Sequence, residues 1–254
     1  MKQLLYIFSL MLFMSGCVSQ KDWVYFQSDH TSKSNIKEFK LRYRPNDLLN
    51  INVTALDMDA ARPFNLFVSS PNTVKNLGVN SQIQQQTYLV DEKGEINFPV
   101  LGKLNIGGLS RDEATSLLEK KLKTYIKDPV VTIRITNFRV SIIGEVNLPG
   151  IYSITNERVS ILEAIALAGD LSITGKRQNV LLIREENGVL TKNYIDLTSD
   201  ALFNSPNFYL NPNDVLYVEP NKSKVRSSTD AIRFTGISLS IITTITTILS
   251  ILIR

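Results

Sequence analysis

Residues 237–253, "ISLSIITTITTILSILI", hold ten Ile or Leu, seven Ser or Thr and no charge. A second apolar run, Leu4–Met14, stands at the other end, and a mixed polar body lies between. Such a chain must put both ends against a lipid or protein surface while the body folds around a core of its own. At about 1.5 Å rise per residue, seventeen helical residues reach roughly 25 Å, enough for an outer-membrane hydrocarbon core. On that helix Gly236, Ser240, Thr243, Thr247, Ser250 and Arg254 repeat at spacings of four and three and form a polar stripe. Ile237, Ile241, Ile245, Ile248 and Leu252 form an apolar one. Hydroxyls in a lone helix must bond back to their own carbonyls, whereas a ring of helices lets them face neighbours or water.

Two other readings of the tail stay open. It is an inner-membrane stop-transfer helix, although Lys222, Lys224, Arg226 and Arg233 would then precede it on the wrong side for the positive-inside tendency. Or it is a β-aggregating tail, since Ile and Thr favour strands. The N-terminal run is too short to span a bilayer comfortably and follows Lys2, as in a secretion signal. It ends in Met14-Ser15-Gly16-Cys17, a pattern that resembles a bacterial lipobox with Met in place of the usual Leu. Cleavage after Gly16 and lipidation of Cys17 are expected. The alternative is an ordinary signal or an N-terminal anchor in which Cys17 is incidental. As the single cysteine of the chain, Cys17 has no disulfide partner within it. Removing residues 1–16 takes away Lys2 and leaves 27 basic and 24 acidic residues, too even a balance to point to nucleic acid.

Residues 17–41 read as a polar tether with Trp23, Tyr25 and Phe26 as a docking patch. "DLLNINVT" alternates at Leu49, Ile51 and Val53 like a half-buried strand. Residues 57–86 are rich in Asn, Gln, Ser and Pro and read as a long loop. "TYLVDEKGEINFPVLG" reads as two short strands joined by a turn at Glu92-Lys93-Gly94, the second ended by Pro99. Ser110 and Glu113 form a capping box for a helix whose apolar face is Ala114, Leu117, Leu118, Leu122, Tyr125 and Ile126, with Pro129 as the stop. Alternation through Val131, Ile133 and Ile135 changes phase at Asn137, which places a domain boundary there.

The second unit opens with a strand, a Pro149-Gly150 turn and a strand. Pro149-Gly150 and Gly94 are expected to hold backbone conformations that side chains disfavour. A second capping box, Ser160 and Glu163, starts a helix that is apolar nearly all round and ends at Gly169. A hairpin over Asn187-Gly188 and a last strand in "LNPNDVLYVEP" complete a small ubiquitin-like sheet. The predicted class is α+β: an export-type domain over 42–136, a β-grasp domain over 137–220, a basic linker over 221–233 and a transmembrane helix over 234–254. "RPNDLLNI" (44–51) echoes "NPNDVLYV" (211–218). Asp47 and Asp214 are expected to bond the backbone of their turns; a ligand role is the alternative.

No nucleophile–base constellation, P-loop or dinucleotide glycine pattern stands in the chain, so an enzyme is not expected. His30 is the only histidine and lies in the tether, so neither a metal site nor a cofactor is expected. Asp91, Glu92 and Glu95 sit at a turn, as solvated tip carboxylates rather than as an acid/base pair.

"LRYRPNDLLNINV" and the long stretch "YLVDEKGEINFPVLGKLNIGGLSRDEATSLLEKKL" resemble the outer-membrane polysaccharide export lipoproteins of the Wza type. Val90, Asp91, Gly94, Ile96, Pro99, Gly102, Gly108, Leu109 and Ser110 fill that family's signature. "VSIIGEVNLPGIYSI" with "SILEAIALAGDL" resembles an SLBB unit through Gly144, Pro149 and Gly150, with Asp170 where a second glycine is usual. The resemblance implies a lipid-anchored outer-membrane channel that exports capsular or exopolysaccharide. Its domains lie in the periplasm and its C-terminal helix crosses the membrane. It implies a homo-oligomeric, octameric ring that meets an inner-membrane polysaccharide co-polymerase or tyrosine kinase. Ser240, Thr243, Thr247 and Ser250 are then the pore or helix-interface candidates. The competing function is a membrane-anchored periplasmic glycan-binding lipoprotein with no channel, the tail serving as a second anchor.

Cys17→Ser is expected to abolish incorporation of labelled palmitate and leave an uncut or soluble precursor. Label that persists in the variant contradicts the lipobox.

Overall fold

The structure is a computed structural model that describes residues 23–27, 39–65, 67–69, 83–186 and 188–224, with Ser240, Thr244 and Thr247. Two apolar cores form, one on each side of Asn137. In the first, β1 (Leu48–Thr54) is the middle strand of a three-stranded sheet. It pairs antiparallel with β4 (Tyr88–Leu89) on one side and β7 (Val130–Ile135) on the other. The register sets Leu49 opposite Ile135, Ile51 opposite Ile133 and Val53 opposite Val131. Alternation therefore buries one face of the pair under a helix, which is why Leu49, Ile51 and Val53 are fully enclosed.

That helix, α2 (Arg111–Leu122), starts at the Ser110–Glu113 capping box, with both reciprocal bonds made. Ala114, Leu118 and Leu122 are buried, and Ile126 is buried beyond the helix end. Tyr125 departs from expectation and is 57% exposed. The helix stops at Leu122, seven residues before Pro129, so the helical spacing no longer governs where Tyr125 points. Of the expected loop over 57–86, the described residues 57–65, 67–69 and 83–86 hold regular structure: α1 (Met58–Ala61), a 3₁₀ turn (Arg62–Phe64) and the paired strands β2 (Phe67–Ser69) and β3 (Ile83–Gln85).

The turn at 92–94 is present, but its flanking strands do not pair with each other. β5 (Glu95–Phe98) instead pairs with β6 (Gly102–Asn105), a strand the sequence reading leaves out. Asp91 Oδ1 accepts from Lys93 N at 2.9 Å and Glu95 N at 2.8 Å and so folds the turn around itself. Gly94 has φ +79, and a Cβ there would stand 2.9 Å from Gly107 Cα. Gly94 O in turn accepts from Ile106 N and Gly107 N, so the two glycines are pressed together by the hydrogen bonds that close the hairpin.

The second core is covered by a five-stranded sheet of order β11-β10-β12-β8-β9. Its strands are β8 (Arg139–Gly144), β9 (Gly150–Ser153), β10 (Gly175–Glu186), β11 (Val189–Ile195) and β12 (Val215–Pro220). β8 and β12 run parallel at the centre and the other neighbours are antiparallel, as in a ubiquitin-like sheet. Helix α3 (Ile161–Leu167) lies in the connection between β9 and β10 and starts at the Ser160–Glu163 capping box. At its end Gly169 N donates to Ala166 O and Asp170 N to Ile165 O, the paired bonds of a Schellman cap. Its all-round apolar pattern does not mean full burial: Ile161, Ala164, Ile165 and Ala168 face the core, while Leu167 is 47% exposed.

Gly144 closes β8 at φ +93, where a Cβ would stand 2.2 Å from Val218 O. No side chain fits between the parallel central strands at that point. Gly150 is not among the positive-φ glycines, so the expected special backbone at Pro149-Gly150 is absent from its second residue.

Trp23–Gln27, expected as part of a tether, lies against the second domain, where Tyr25 and Phe26 pack on its core. Cys17, Gly16, Thr243 and Ser250 fall outside the described residues. Ser240, Thr244 and Thr247 are helical and exposed, and Thr244 Oγ1 donates to Ser240 O at 2.7 Å. Among the described residues no helix is long and apolar enough to cross a membrane, so the expected spanning helix over 234–254 has no support there.

Three substitutions should rank by what a new side chain meets. Gly144→Ala must part backbone from backbone and should cost over about 4 kcal/mol. Gly94→Val meets both positive φ and Gly107 and falls between. Gly102→Ala has φ +72 but nothing within 4 Å, and should cost only about 1–2 kcal/mol. Urea unfolding of the three reports the order; equal losses at 144 and 102 contradict the close approach.

Candidate functional site at the domain junction

The echoed turns are built alike. Asn46 and Asn213 occupy the left-handed region at φ 72 and φ 66, a conformation asparagine tolerates. In each, the backbone closes onto the residue three back: Asp47 N to Arg44 O and Asp214 N to Asn211 O, both 3.2 Å. The carboxylate then accepts from the turn's first N–H, Arg44 N to Asp47 Oδ2 and Asn211 N to Asp214 Oδ2, both 2.8 Å. Asp47 and Asp214 are nearly inaccessible. Burial pushes both carboxyls above their ordinary range, while the hydrogen bonds and arginine neighbours of each pull the other way.

Asp214 has a dedicated counter-ion. Arg184 Nε lies 3.0 and 3.1 Å from its two oxygens and a terminal nitrogen 2.6 Å from Oδ2. The same terminal nitrogen donates to Tyr209 O at 3.0 Å. Both partners are buried.

Side chains then join the two turns. Arg44 reaches across to Glu186 Oε1 at 2.9 Å, and Asn211 Nδ2 approaches the same oxygen at 3.3 Å. Asn137 adds a second tie: its Oδ1 accepts from Leu48 N and its Nδ2 donates to Asn46 O, both 2.9 Å. On the far side Asn213 N donates to Arg139 O at 2.8 Å and Ser141 N to Asp214 O at 2.9 Å. The boundary residues 136–141 thus run between the two turns and are held by both.

Beside this junction lies a cleft of about 720 Å³. Its walls come from Phe39–Leu41, the start of α2, Ile133–Ile135 and Thr155–Arg158. Arg111 spans the two domains to Glu157 and also approaches Asp112 at 3.3 Å. The Arg158 guanidinium stands 5.3 Å from the Tyr209 ring, on which Phe39 also packs. The cleft is of mixed charge, and its carboxylates are paired or capping. Among the described residues no group of three His, Cys, Asp or Glu side chains can hold a metal.

The motif residues do not converge on one site. Asp91, Gly94, Pro99 and Gly102 shape the hairpin of the first domain. Gly144, Pro149 and Gly150 bound β8 and β9. The junction residues to which the sequence alone assigns no role are Arg44, Arg184, Glu186 and Asn211. Arg184 had a signal, as the cation in phase with Val180 and Leu182 in the strand alternation of "VLLIR".

Residues 38–136 match the model of the polysaccharide biosynthesis/export protein family, and residues 138–218 match the SLBB domain. The chain is similar to the EPS I polysaccharide export outer membrane protein EpsA of Ralstonia nicotianae, 34% identical over 70 residues. A protein of the same name from Ralstonia solanacearum is 33% identical over 70 residues. The match covers 26% of this chain and 18% of the Ralstonia nicotianae protein, or 19% of the Ralstonia solanacearum one. It therefore spans under a fifth of these curated relatives.

Asp214→Ala strands a buried guanidinium and should cost about 3–5 kcal/mol. Asp47→Ala strands one backbone N–H and should cost about 1–3 kcal/mol. Chemical denaturation of both variants checks the order, and a reversal contradicts the assignment of Arg184 as the counter-ion.

Proposed function

Because the chain belongs to the polysaccharide biosynthesis/export protein family, with an SLBB domain behind its export domain, we propose that it is an oligomeric outer-membrane lipoprotein channel. It carries capsular or exopolysaccharide from the periplasm to the cell surface. The observation that carries this reading is the tandem order of the two matched domains, on adjoining stretches of one chain. The names of the Ralstonia relatives, export outer membrane proteins, agree with it. Cys17 holds the lipid, residues 234–254 form the membrane-crossing helix, and several copies, eight by family likeness, surround the polymer path. An inner-membrane polysaccharide co-polymerase or tyrosine kinase supplies the polymer.

Within the tail, helical Ser240, Thr244 and Thr247 support a helix rather than a β-aggregating strand. The bond from Thr244 Oγ1 to Ser240 O supports the idea that its hydroxyls satisfy themselves on the helix.

The stripe makes the two sides of the tail unequal toward charge. Thr247→Lys should insert and change export, because its amine can reach water or the helix neighbours. Ile245→Lys should fail to insert, at about 2.5–3.5 kcal/mol per copy on insertion scales. Membrane fractionation with capsule staining compares them, and equal behaviour contradicts the stripe. A chain truncated at Thr229 that still exports polymer contradicts the channel role of the tail. If that chain also binds glycan as a monomer, the binding-protein reading replaces the channel.

A further inference from the structure

Two features of the second domain are costly in isolation. Arg177 is 7% exposed, its Nε has no partner, and no carboxylate pairs with it among the described residues. One terminal nitrogen donates to Gly175 O at 3.3 Å. Asp170 sits at φ 73, directly after Gly169 at φ +71, in a backbone region where a non-glycine residue is strained.

Both features converge on Tyr25. Its hydroxyl donates to Asp170 Oδ1, and the Arg177 guanidinium stands 5.2 Å from its ring centroid. The neighbouring backbone follows: Phe26 N donates to Leu197 O at 3.4 Å and Gln27 N to Thr198 O at 2.9 Å. Phe26 packs on Phe203 with centroids 5.1 Å apart. The loop between Asp170 and Arg177 also holds the chain on its way out. Asn221 N donates to Thr174 O at 2.7 Å. Lys224 stands 3.7 Å from Glu145, a carboxylate that accepts from both Ser172 and Thr174.

We propose that Asp170 and Arg177 form a docking site for Tyr25, and that the loop they bracket clasps the entering N-terminal segment and the departing C-terminal linker together. The buried guanidinium and the strained aspartate are retained because the strap needs an aromatic seat and a hydroxyl acceptor. With Cys17 as the lipid anchor, a consequence that rests on the proposed function, docking leaves five residues, six Cα steps, between the lipid and Trp23. That is about 20 Å of extended chain. Release of the strap would let the chain reach over the 21 residues, 22 Cα steps, between Cys17 and Phe39, about 75 Å at full extension. Tyr25 is thus a positioning residue that sets how far the folded body stands from the membrane, and it holds the entering strap at the same loop that holds Asn221 and Lys224.

Trp23 is the only tryptophan in the chain and is 39% exposed, so its fluorescence reports the strap alone. In the full-length, detergent-solubilised protein, Tyr25→Ala should raise acrylamide quenching of Trp23 roughly two-fold and lower its anisotropy. Tyr25→Phe keeps the ring on Arg177 but loses the bond to Asp170, so its quenching should rise only part of the way, as in Asp170→Gly. Asp170→Gly removes the acceptor but relieves the strain, so Trp23 should loosen while the melting temperature holds or rises. A residue with a merely structural role would lose both together. Trp23 quenching unchanged in both Tyr25→Ala and Asp170→Gly overturns the clasp. If the wild-type protein takes up no palmitate, the lipid-anchor reading fails, and the Trp23 readings still decide the docking site.

Discussion

Each domain is organised by a buried aspartate at the head of its central strand. β1 has neighbours on both sides, and so does β12. A central strand must start in one place, because a one-residue slip turns its whole apolar set outward. The Asp47 and Asp214 carboxylates fix that place by bonding their own turns from inside the protein, where water cannot substitute. Leu49, Ile51 and Val53 then face one core, and Leu216 and Val218 the other. The two turns also meet through Glu186 and are tied to residues 136–141, so the device that sets each register also sets the junction.

What was legible in the sequence is what is local. Both capping boxes, both helices, the alternation of β1 and β7, the Asn187-Gly188 hairpin and the phase change at Asn137 depend on neighbours within a few residues. The strand partners of 88–89 and 95–98 were not legible, because pairing is settled by which edge is free in three dimensions. β4 completes the β1 sheet, which leaves β5 to turn back on β6. Helical spacing puts Tyr125 on the apolar face, but the helix ends at Leu122 and the side chain is exposed. The exposed side of α3 was missed because an apolar residue count does not say how much of a helix a small domain can cover.

The junction was half legible. The repeated Pro-Asn-Asp marked the two aspartates and their turns, but not what each faces. Arg184 and Asp214 are 30 residues apart, and Arg44 and Glu186 are 142 apart. Only the closed sheet brings them together. The Gly94–Gly107 contact has the same origin. The motif singles out Gly94 but not Gly107, and their mutual approach appears only when the hairpin closes. At Asp170 the departure from the usual glycine leaves the turn intact, with the side chain accepting from its neighbour Leu171 N at 2.6 Å as well as from Tyr25.

In the proposed function these interactions serve one end: two small domains held at a defined junction, with Trp23–Gln27 and Asn221–Lys224 both held on the second. The proposed channel rests on the assembly of several copies. Negative-stain imaging of the full-length protein extracted from membranes in mild detergent tests that directly. The channel account predicts closed rings of several copies around a central opening. Uniform monomers under the same extraction would contradict it.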